Sequence, residues 1–149
     1  MTDFTAGGTF PLVYNDYVTF LKVALGFEDT GVRAYKGQAP ALLGNQVVLT
    51  AALSIHAVEA RHASAIRQLR FNLGQSTTTT PWITSTATVG NDTGIAAVTD
   101  NYRGEENVVQ GGVDLTALAS VKVVTASFDE PLAKADVLKL LVGSFLVKK

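Results

Sequence analysis

The chain has 149 residues, 47% of them hydrophobic and 17% charged, with a net charge of -1 at pH 7 and no cysteine. This composition predicts one globular domain over residues 1–149 with enough apolar mass for a core, and it excludes disulfide scaffolds, thiolate metal sites and cysteine nucleophiles. The charge balance gives no footprint for nucleic acid or an anionic membrane, no apolar run reaches the roughly 18 to 20 residues that span a bilayer, and Met1–Pro11 does not read as a signal peptide.

The first predicted element opens at Asn15 or Asp16, either of which can accept hydrogen bonds from the free N–H groups of a helix start. Tyr17, Leu21, Ala24, Glu28, Val32 and Tyr35 then recur at intervals of three and four, one face of an α-helix that is expected to stop near Gly37, before Gln38-Ala39-Pro40. A short connection leads to Asn45, a second capping residue, and to the strongest helical signal. Val48, Ala52, Ile55, Glu59, His62, Ile66 and Leu69 form one stripe that runs toward Leu73, with Gly74 as the stop. Two long helices joined by a short loop predict an antiparallel hairpin over 15–74.

Residues 75–149 differ in character. Ser76–Thr80, Pro81 and a Thr/Gly/Asn-rich stretch to Gly112 show no sustained period, which predicts an extended, irregular covering over the helices. Trp82, Ile83, Ile95, Val98 and Tyr102 are its expected anchors, by packing rather than by ligand binding. A short turn or helix is expected at Leu115–Val121. Asp129-Glu130-Pro131 is expected to open a last helix from about Leu132 to Val142.

The chemistry concentrates on the hairpin. Glu59 and His62 stand three apart, so they share a helical face and can bind one metal or bracket two. Their helical neighbours are Ile55, Ala63 and Ile66, and those of Glu28 are Ala24, Leu25 and Val32. Carboxylates in such company need a cation, either a metal or one of Arg33, Arg61 and Arg67. A lone Glu-x-x-His arises readily by chance; what raises its weight is that Glu28 and Glu59 fall at comparable depths of the hairpin. Tyr35, two turns beyond Glu28 on the same face, is placed to hydrogen-bond a ligand carboxylate. His56, one turn before Glu59, reads as a satisfied or exposed histidine rather than a third ligand.

Phe27-Glu28-Asp29-Thr30-Gly31-Val32-Arg33-Ala34-Tyr35 and Val58-Glu59-Ala60-Arg61-His62-Ala63 resemble the second helical hairpin of ferritin-like proteins, in particular the desiccation-related branch. The likeness continues through Pro81-Trp82-Ile83, Tyr102–Gly112 and Phe128-Asp129-Glu130-Pro131-Leu132. It implies a mainly α fold: half of a four-helix bundle, then the irregular segment and a short C-terminal helix. It also implies that Glu28, Glu59 and His62 are metal ligands, that Tyr35 lies beside the metals, and that iron, two ions per four-helix unit, or manganese is the cofactor, with Fe(II) oxidation by O₂ or peroxide as the activity.

The departure from the family pattern is that one hairpin is present where a complete bundle has two. Glu105 and Glu106 lie in a Gly-flanked aperiodic stretch and are not expected to replace the missing set. Half a bundle bares a large apolar face, so the expected partner is a second copy about a two-fold axis, the two chains together giving four Glu and two His. A different chain or a removed segment are the other sources of the second hairpin. The alternative from another class is a metal-free structural or stress-protection protein, with Ser76–Thr80 and Ala87–Gly94 as pairing strands. A hydrolase is disfavoured because no Gly-x-Ser-x-Gly setting exists. Relatives in this family are often exported, yet no export signal is visible, so localisation stays open.

Overall fold

The computed structural model describes residues 6–76, 80–83, 93–96, 98, 101–142 and 146. Helix α1 spans Tyr17–Gln38 and α2 spans Gln46–Asn72. Both start where a side chain can replace the missing helical acceptor. The Asp16 carboxylate accepts from the Thr19 N–H at 2.8 Å and its hydroxyl at 2.6 Å, and Asn45 Oδ1 accepts from the Val48 N–H at 3.1 Å. Helix α1 ends one residue beyond Gly37. The chain stays helical to Gln38 and tightens into a 3-10 turn over Ala39–Leu42, and there Pro40, which has no N–H to lose, is tolerated near the turn's start.

The two helices run antiparallel, as the pairs Glu28–His62, Gly31–Glu59 and Val32–His56 step in opposite directions along them. Leu25 and Val32 of α1 and the small Ala52 and Ala63 of α2 are buried. The expected core stripe of α2 is corrected here: Val48, Ile55 and Leu69 are 44%, 43% and 36% exposed. The periodicity is real, but only part of the stripe is covered among the described residues: Ala52 is buried and the Glu59 carboxylate lies on Gly31, while Val48, Ile55 and Leu69 face outward.

Ile83, Val98 and Tyr102 are buried with Leu140 and Leu146 in one apolar cluster, against which Ile95 and Leu132 pack, while Trp82 remains 46% exposed. Packing therefore selects four of the five expected anchors. A two-stranded antiparallel ribbon, β1 (Val109–Gln110) and β2 (Val113–Asp114), turns around Gly111–Gly112. A 3-10 turn at Leu115–Ala117 and helix α3, Val121–Thr125, follow in the region where a single short element was expected. Residues 77–79 and 84–92, on which most of the expected pairing strands fall, lie outside the described residues.

The last helix, α4, spans Lys134–Leu140, shorter than the expected Leu132–Val142. Asp129, Glu130 and Pro131 do not form its first turn because a tertiary partner claims them. Arg33, fully buried on α1, donates from Nε to the Glu130 carbonyl at 2.8 Å, from Nη2 to the Arg103 carbonyl at 2.9 Å and from Nη1 to the Asn101 carbonyl, and it pairs with Glu105 Oε1 at 2.8 Å. Glu105 Oε1 also accepts the Glu130 N–H at 3.0 Å, and the Leu132 N–H reaches the Arg33 carbonyl at 3.0 Å. Burial pushes the Glu105 carboxyl up to about 7 although Arg33 opposes the shift.

This docking needs α1 to be bare at Gly37, where an added Cβ would overlap the Leu132 carbonyl oxygen. Backbone cannot move aside as a side-chain tip can. Gly37→Ala is expected to destabilise the chain by about 1–2 kcal/mol, the cost of overpacking exceeding the helix-propensity gain of about 1 kcal/mol. Urea denaturation measures the difference, and an unchanged or higher midpoint would show that 129–132 is not held tightly on α1.

Candidate metal centre

Glu28 and Glu59 reach the same level of the hairpin from opposite helices. His62 follows Glu59 by three residues, so its ring projects on the same face of α2. His62 Nδ1 lies 3.2 Å from Glu28 Oε1, with the two side chains 58% and 27% exposed. The structure therefore places Glu28, Glu59 and His62 on one face, with Glu28 and His62 in contact and Glu59 beside them. Arg33 and Arg67 are committed elsewhere, to Glu105 and Asp29.

Glu59 is the strained member of the group. Its Oε2 is buried without a hydrogen-bond partner, and its carboxyl is raised to about 7, first by burial and then by the neighbouring Glu28 charge, with His62 opposing. An unpartnered buried carboxylate oxygen is costly unless a cation meets it. That orphaned oxygen, beside a second carboxylate and an imidazole, fits an oxygen/nitrogen site for iron or manganese. Among the described residues, no three His, Asp or Glu side chains close on one point as a complete ligand set. What this chain presents is two carboxylates and an imidazole on an open face.

Tyr35 is half-buried on the same side of α1 and makes no hydrogen bond to Glu28, Glu59 or His62 among the described residues. His56 is satisfied, as expected: its Nδ1 sits 3.0 Å from the Val32 carbonyl and so donates to it.

The sequence reading missed a buried ion pair immediately behind this face. Arg67 holds Asp29 through two bonds, Nη1 to Oδ1 at 3.0 Å and Nη2 to Oδ2 at 2.6 Å, and the Tyr102 hydroxyl donates to the same Oδ2. Burial pushes the Tyr102 phenol well above its ordinary value, with the Asp29 charge adding to it. Burial likewise raises Asp129, which Asp29 repels. No spacing rule links positions 29, 67 and 102, so only the fold reveals them. Gly31 did carry a signal: a glycine in a helix interior costs stability and asks for a reason, and here the Glu59 carboxylate fills the space of its absent side chain.

Compared with known proteins, residues 4–72 match the family model of a ferritin-like domain. No curated protein and no solved structure matches the chain.

Proposed function

We infer, from the match of residues 4–72 to a ferritin-like domain, that this hairpin is one half of a dinuclear carboxylate metal centre for iron or manganese. The observation that carries this reading is the buried, partnerless Glu59 Oε2 beside Glu28 and His62. Glu28 and Glu59 would hold the ions through carboxylate oxygens, His62 through its imidazole, and Tyr35 would stand beside them as hydrogen-bond donor or redox partner. When bound, the metal pair supplies oxidation of Fe(II) by O₂ or peroxide. The chain's own residues supply negative charge against the cations, fixed ligand spacing on two helices, and one carboxylate oxygen already drawn out of water.

The second half of the site comes, in this reading, from a second copy of the chain. Val48, Ile55, His62 and Leu69 recur every seven residues on α2, and the three apolar ones are exposed together with Tyr17 and Phe20 of α1, whose rings stack with centroids 6.2 Å apart. An apolar helical seam with the ligands at its middle suits helix-on-helix packing. A two-fold operation would duplicate Glu28, Glu59 and His62 into the four-Glu, two-His set. Net charge of -1 per chain raises little repulsion between copies.

The alternative is a metal-free scaffold for structural or stress-protective assembly, which the exposed Val113, Leu118, Val121 and Val123 of the covering segment favour. Elemental analysis with sedimentation separates the two. The metal-centre reading expects about two iron or manganese ions per pair of chains and a dimer that tightens on metal addition. A folded monomer that takes up no metal overturns it and leaves the scaffold.

A further inference from the structure

We propose that Gly31 is a positioning residue for the metal centre: its missing side chain is the seat that holds the Glu59 carboxylate against the backbone of α1, beside Glu28. The inference rests on the metal-centre reading above and adds a residue that is not itself a ligand. An ideal Cβ at position 31 would overlap Glu59 Oε1, Oε2 and the carboxylate carbon alike, so the whole group lies over the Gly31 Cα. Gly31 is three residues after Glu28 and four before Tyr35, on one face of α1. Glycine is unfavourable at mid-helix, where alanine would hold the helix better. The seat explains why it is there. With any side chain at 31, Glu59 would swing outward, since its carboxylate is the tip of a flexible chain and α1 and α2 need not separate.

The distinguishing signature is a split between stability and metal binding. Gly31→Ala is expected to raise the thermal midpoint of the metal-free protein by a few degrees, or leave it unchanged, while weakening Mn(II) and Fe(II) binding at least tenfold by titration calorimetry. The metal-induced rise in midpoint should shrink with it. A merely structural glycine would do the reverse, losing metal-free stability, and that result overturns the proposal. Equal Mn(II) affinity in Gly31→Ala and wild type overturns it too, with the metal centre intact. Absence of metal binding in wild type instead removes the metal-centre reading and this inference with it. Gly31→Ser serves as the second variant: it must show the same loss of Mn(II) affinity, and wild-type affinity in it counts against the seat.

Discussion

Arg33→Ala is expected to destabilise the chain by about 3–5 kcal/mol, the range for removing one partner of a buried ion pair. Arg33 is 1% exposed and Glu105 fully buried, so the lost guanidinium is not replaced by water at low cost. Four acceptors lose their donor together: the Glu105 carboxylate and the carbonyls of Asn101, Arg103 and Glu130. Among the described residues Glu105 would keep only the Glu130 N–H. Loss should be regional. The α1–α2 hairpin retains its caps and its Asp29–Arg67 bridge, whereas 101–132 loses the residue that staples it to α1. Limited proteolysis should therefore cut first within 101–132 while far-UV circular dichroism changes little. Arg33→Lys is expected to recover only part of the loss, because an ammonium cannot present the planar fork that reaches several acceptors at once. A urea midpoint within about 1 kcal/mol of wild type would mean that the covering segment does not depend on Arg33.

Glu59→Gln is expected to separate the cost of the proposed metal centre from its use. Metal affinity should fall about 100-fold or more, since a neutral amide cannot replace an anionic ligand. In metal-free protein the sign reverses. The Glu59 pKa is raised from 4.5 to about 7, so its contribution to stability is fully present below pH 4.5 and is lost as pH rises toward 7, where the unfolded chain is ionised and the folded one is not. Removing the ionisable group removes that loss. With each pH unit worth about 1.36 kcal/mol and a discount for a half-exposed carboxylate, Glu59→Gln should stabilise the metal-free chain by about 1–2 kcal/mol at pH 8. Near pH 4 it should change little. Wild-type metal affinity should itself fall about tenfold per unit below pH 7, one proton competing with the cation. Parallel pH–stability curves for wild type and Glu59→Gln would show that Glu59 carries no such burden.

The hairpin was readable from sequence because its signals are local. Asp16 and Asn45 act within one helical turn, and Glu59 and His62 share a face by spacing alone. The proximity of Glu28, Glu59 and His62 was readable for the same reason, with Glu28 placed by its depth in the hairpin. Long-range pairs were not. Arg33 and Glu105, or Asp29 with Arg67 and Tyr102, meet only after the covering segment folds back, and no period encodes that return. Asp129-Glu130-Pro131 shows the competition directly. These residues have the chemistry of a helix start, yet Glu130 gives its N–H to Glu105, its carbonyl to Arg33 and its carboxylate to Asn107 and Gln110. Tertiary partners outbid a local cap. The stripe on α2 was legible as a pattern, but a pattern does not say how much of it the fold covers.

The Asp29–Arg67 bridge sets the rotational phase of α1. Adjacent residues on a helix point about 100° apart, so Asp29 turns inward while Glu28 faces the open side of the hairpin. The two-bond fork from Arg67 cannot be kept if α1 rolls about its axis, nor can the Tyr102 bond to the same carboxylate. Any roll that moved Glu28 away from His62 would have to break that buried contact first. The direction in which Glu28 points is thus inherited from its neighbour, and the bare face of the hairpin is aimed from within.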